Sequence, residues 1–129
     1  MKKLIFVLIL FSCTQEKVEP NFNSIDGLWR FSNKNVEAEF YVITVNDKEY
    51  VDNKGWIKIK GDKYDIIGRM QIPEIHPAPL RMQLVGQNGR IDFTALCNSE
   101  FTKMEVSNYS YYSLSIGLNN ANEPLIITR

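Results

Sequence analysis

Val36-Glu37-Ala38-Glu39-Phe40-Tyr41-Val42 alternates apolar and polar side chains without a break, and Ile43-Thr44-Val45 then runs into Asn46-Asp47. A period of two is the mark of a strand with one face buried. Asn and Asp tolerate the left-handed backbone of a hairpin tip. The same habit extends in both directions. Upstream, Ile25, Gly27, Trp29 and Phe31 share one face, with Asp26, Leu28 and Arg30 on the other. Downstream, Ile57 and Ile59 alternate with Trp56, Lys58 and Lys60, and Gly61-Asp62 turns the chain into Tyr64–Met70. Leu80, Met82 and Leu84 alternate with Arg81 and Gln83, and Gln87-Asn88-Gly89 leads into Ile91, Phe93, Ala95 and Cys97. Met104 and Val106 continue the pattern through Tyr109–Ile116, and Asn119-Asn120 and Asn122 mark a last turn before Pro124–Arg129. About eight short runs punctuated by Gly, Asn and Asp, with no 3.6-residue apolar stripe, predict an all-β sandwich or barrel.

The longest interruption is Ile72–Pro79, IPEIHPAP. Proline cannot donate to a sheet ladder, so this segment is a connection or broken edge between two halves of about four strands each. No internal sequence repeat is visible.

A chain of 129 residues has room for one modest core. Its 12% aromatic and 23% charged content is that of an ordinary globular protein. Acidic and basic side chains balance at 15 each. Loss of Lys2 and Lys3 with a leader leaves 15 − 2 = 13 basic against 15 acidic groups. Such a surface has no footprint for nucleic acid and no basic cluster to hold an anionic membrane by charge.

The first residues have another character. Lys2-Lys3 precede the apolar run Leu4–Phe11, which is too short for a membrane span of about 20 residues and has the layout of a secretory signal. Leu10-Phe11-Ser12-Cys13 resembles the lipobox of bacterial lipoproteins. The resemblance implies removal of residues 1–12, lipid modification of Cys13, and a polar tether over residues 13–23 that carries a β-domain over residues 24–129. It also implies a membrane partner reached through the lipid anchor in the cell envelope, with Thr14 after the cysteine fitting the outer membrane. Cys97 is then unpaired. A plain signal with a Cys13–Cys97 disulfide is the alternative.

Gly27-Leu28-Trp29 opens the folded part, and here the chain resembles the lipocalins, in particular small lipocalin-like lipoproteins. In that superfamily a G-x-W opens the first strand of an eight-stranded antiparallel meander barrel, and a basic residue on the last strand packs over the Trp. Arg129, in phase with Leu125 and Ile127, is placed for that part. The Thr-Asp-Tyr turn motif of the central family is missing. The fold implied is a meander barrel of lipocalin type; a β-sandwich is the alternative. In a barrel, Trp29, Phe31, Phe40, Val42, Ile57, Ile59, Leu84, Phe93 and Met104, with Ile91 and Val106, face inward. Such a barrel is either filled by its side chains or holds one small ligand, and this lining suits an apolar ligand.

No catalytic signature is present: no G-x-S-x-G, H-E-x-x-H or glycine-rich phosphate loop. The single histidine, His76, lacks the companions zinc requires, so neither metal nor cofactor is expected. Glu37 and Glu39 share a strand face and read as its solvated side. Tyr109, Tyr111 and Tyr112 form an aromatic cluster suited to a protein partner. The expected function is a non-catalytic, lipid-anchored envelope protein that binds a small apolar ligand. The alternative is a protein- or glycan-interaction module with a filled β-core.

Overall fold

In the computed structural model, the described residues are 22–73 and 79–129. The lipobox residues Leu10–Cys13, most of the tether and His76 lie outside them. The described chain forms β1 (Gly27–Ser32), β2 (Val36–Val45), β3 (Lys48–Ile59), β4 (Asp62–Asp65), β5 (Met70–Gln71), β6 (Leu80–Val85), β7 (Gly89–Cys97), β8 (Lys103–Ser113), β9 (Gly117–Ala121) and β10 (Leu125–Thr128).

The strands make one antiparallel sheet in the order β4-β3-β2-β1-β10-β8-β7-β6, with β5 also on β3 and β9 also on β8. β4 pairs with Trp56–Ile59 of β3, and β5 with Tyr50 and Val51. In the same way β9 takes Tyr109–Ser113 of β8 and β10 takes Lys103–Val106. Each of these pairs fills one strand position, so the ten strands occupy eight positions in a meander. The sheet curls until its two edges meet at the Ile66–Gly86 bridge. There the Ile67 amide donates to the Val85 carbonyl at 2.8 Å. The result is an all-β, partly closed barrel.

The two halves repeat one plan that the sequence does not show. In the first, Phe40 pairs with Gly55 and Val42 with Val51, leaving Asp52, Asn53 and Lys54 bulged opposite Tyr41. In the second, Phe93 pairs with Tyr109 and Ala95 with Val106, leaving Ser107 and Asn108 bulged opposite Thr94. Bulges bend and twist a strand and let a sheet curl. Gly55, at φ 105°, permits the first, since a Cβ there would press into the Glu39 carbonyl. Each bulge lies opposite the residue that follows a phenylalanine, Phe40 or Phe93. Phe40, Phe93 and Phe31 meet edge-on at the centre, with centroids 6.3, 5.9 and 6.3 Å apart. Each such pair contributes about 0.5–1.5 kcal/mol beyond its buried area.

Two turns differ from the sequence reading. Asn46 and Asp47 do form a hairpin tip, with φ of 51° and 64°. The next tip is Lys60-Gly61 rather than Gly61-Asp62, because Asp62 already pairs with Ile59. Asn119 and Asn120 are not a turn: they pair with Tyr111 and Ser110 inside β9. Asn122 does lie in the last turn, between β9 and β10, and a further turn joins Ser113 to Gly117, whose φ is 73°.

Candidate functional site

The interior is where an apolar ligand of a hollow barrel would lie. Trp29, Phe40, Val42, Ile57, Ile59, Leu84 and Met104 are 0% exposed, Phe31 4% and Phe93 6%; Ile91 and Val106 are buried with them. All belong to one continuous core cluster. A void able to hold water would leave accessible surface on its walls; these walls are against one another. The residues expected to line a pocket are brought together as packed core.

Tyr109 and Tyr111 join that core at 3% and 6% exposure. Tyr112 points outward, where the Arg90 guanidinium lies 5.9 Å from its ring centroid. The three tyrosines therefore do not form one exposed patch: along β8, residues 109 and 111 face in and 112 faces out.

At the end of the barrel where β1 begins, the Trp29 indole N–H donates to the Ile25 carbonyl at 2.8 Å. Arg129 lies over it, with its guanidinium carbon 4.7 Å from the Trp29 ring centroid and 3.9 Å from that of Phe22. The same guanidinium donates to the carbonyls of Ser24, Asp26 and Phe101. Arg129 thus straps the incoming chain to the barrel end. Burial lowers its pKa from the ordinary arginine value.

Where β1 ends, β9 pairs with β8 on one side and, among the described residues, with no strand on the other, and side chains close the seam. The Tyr109 hydroxyl donates to Glu123 at 2.6 Å and accepts from Asn33 at 2.8 Å and Asn35 at 3.2 Å. Asn35 also donates to Glu123 at 2.7 Å and accepts from Lys60 at 2.6 Å. Burial, then the bond to Glu123, pushes the Tyr109 pKa up. The Tyr109 hydroxyl in turn holds the Glu123 carboxyl below its ordinary range. Every member has partners, so this network is a seal.

Two clefts lie on the outer face. The first, about 340 Å³, is lined by Arg30, Ser32, Glu37, Glu39, Trp56 and Ile126 among others. Most of its polar groups are paired: Arg30 reaches Glu39 at 3.8 Å, Ser32 donates to Glu37 at 3.0 Å, and Lys63 lies 4.7 Å over the Trp56 ring, while Thr128 is exposed to solvent. Glu37 and Glu39 thus belong to the solvated face, as expected.

The second cleft, about 680 Å³, spans β6 to β9 and is bordered by Gln71 of β5 and by Pro73. Its floor is the cross-strand ladder Gln83–Asp92–Ser110–Asn120, flanked by Arg81, Thr94, Asn108 and Asn122. Arg90 holds Asp92 Oδ2 at 2.7 Å, while Oδ1 is buried without a hydrogen-bond partner among the described residues. Among the described residues, the side chains of Arg81, Gln83, Thr94, Asn108, Ser110, Asn120 and Asn122 make no hydrogen bond or ion pair. Sequence reasoning missed this cleft, since its walls come from five strands whose register is not written in any one of them.

Cys97 is a free, half-buried thiol whose pKa is raised, chiefly by burial. Among the described residues no group of three or more His, Cys, Asp or Glu side chains is placed to hold a metal ion. No family model matches the chain, and no curated protein or solved structure does so either.

Proposed function

We propose that the chain is a lipid-anchored envelope protein whose filled, lipocalin-like barrel serves as a non-catalytic interaction module and meets its partner on the outer surface. The observation that carries this reading is the packed interior: residues that would line a ligand pocket are at most 6% exposed, with three phenylalanine rings in mutual edge contact. Binding inside would require that packing to open, and each large side chain displaced costs several kcal/mol. The anchor is supported by the pattern of residues 2–13: two lysines, an apolar run and a lipobox-like Leu-Phe-Ser-Cys. The lipocalin likeness is supported by Gly27-Leu28-Trp29 and by Arg129 lying over Trp29. Two or three acyl chains, at about 0.8 kcal/mol per buried CH₂, hold a protein where one is marginal.

The anchor is tested by fractionating cells that express the wild type and Cys13→Ser after feeding an alkyne-tagged fatty acid. The wild type takes up the label and sediments with membranes. The variant loses both properties. A variant that keeps its membrane fraction overturns the anchor.

A further inference from the structure

The inference rests on the module reading and names the place and the ligand class. From the second outer cleft we infer a binding site for a neutral glycan. Its floor is a ladder of Gln83, Asp92, Ser110 and Asn120 across four hydrogen-bonded strands. Neighbouring strands stand about 4.8 Å apart, so the ladder runs roughly 14 Å, enough to follow a few sugar rings. An Asn or Gln amide offers a donor and an acceptor side by side, which suits two adjacent hydroxyls on one ring. The four ladder residues are mounted on paired strands rather than loops, so little is lost in ordering them on binding.

Other ligand classes fit less well. An anionic ligand would meet Asp92 in the middle of the floor, with one of the two nearby cations, Arg90, already engaged by it. An apolar ligand would bury amides and hydroxyls without partners, a cost of roughly 1–3 kcal/mol each. The aromatic anchors that mark protein interfaces are withdrawn here, because Phe93 and Tyr109 face the core. The cleft also differs from its counterpart on the first half, where Arg30 pairs with Glu39 and Ser32 with Glu37.

The test uses the full chain, labelled with ¹⁵N and held in a detergent without a sugar headgroup. Maltohexaose, cellohexaose, mannohexaose and hexa-N-acetylchitohexaose are titrated in turn, and the side-chain amide signals of Gln83, Asn108, Asn120 and Asn122 are followed. At least one saccharide shifts these signals saturably. The double variant Gln83→Ala/Asn120→Ala weakens that binding at least tenfold with its melting temperature unchanged, while Glu39→Ala on the opposite half binds as the wild type does. Silence from all four saccharides overturns the inference, and so do shifts centred on the Arg30–Glu39 face or a double variant that binds normally. The module reading fails separately, if the intact mass of the same preparation carries a stoichiometric lipid beyond the anchor.

Discussion

On the outer face of the first half, Arg30 meets Glu39, Ser32 meets Glu37 and Lys63 covers Trp56. On the second half, the ladder from Gln83 to Asn120 presents amides and hydroxyls that, apart from the Arg90–Asp92 pair, meet no partner among the described residues. Inside, the halves agree: a phenylalanine, then a residue opposite a bulge, then a small or β-branched residue, Phe40 to Val42 and Phe93 to Ala95. Packing demands the likeness inside, since both halves close on one core. Nothing in folding demands the contrast outside, which is why the unpaired face is the better candidate for function.

The likeness inside is tested by the largest effect. Phe40→Ala and Phe93→Ala should each lose about 3–5 kcal/mol in chemical denaturation, the usual cost of truncating a buried aromatic. The equivalence of the halves breaks if Phe93→Ala costs under about 1 kcal/mol.

The bulges sharpen the comparison. Gly55→Ala forces a side chain at φ 105° against the Glu39 carbonyl and should cost roughly 1–3 kcal/mol. Asn108→Ala, in the second bulge with its side chain exposed, should stay within about 0.5 kcal/mol. A comparable loss at Asn108 would show that it shapes the bulge rather than the cleft.

A smaller effect comes from the seal between the halves. Tyr109 holds the Glu123 carboxyl below its ordinary range. Its stabilisation is therefore fully present above that range and disappears as the pH falls through the lowered value. Between about pH 5 and pH 3, the wild type should lose more melting temperature than Glu123→Gln. Parallel curves would contradict the assignment.

The smallest effect belongs to the paired face. Arg30 and Glu39 are 55% and 36% exposed and 3.8 Å apart, so a double-mutant cycle should give no more than about 0.5 kcal/mol. A larger coupling would mean that this face is organised for more than solubility.

Much of the interior was legible in the sequence. A period of two assigns Trp29, Phe40, Ile57, Leu84 and Met104 to one face without any knowledge of strand order, and the G-x-W with a terminal Arg pointed to the strap at Arg129. Less legible was the length of β3, because Asp52-Asn53-Lys54-Gly55 breaks the alternation where the bulge lies. The tyrosines misled because Tyr suits either face of a strand. The cleft was hidden for a different reason: Gln83, Asp92, Ser110 and Asn120 become neighbours only through register, which hydrophobic patterning fixes across the sheet as a whole. The likeness of the halves was invisible for the same reason that makes it informative, since their outward residues share nothing.

The central claim is that the barrel is full and its work is done outside. Native mass spectrometry of the protein after gentle extraction tests this most directly. The account predicts the mass of the processed, acylated chain and nothing more. A reproducible one-to-one adduct of a lipid or other apolar molecule, lost on replacing Phe93 or Phe31 by Trp to overfill the interior, would contradict it.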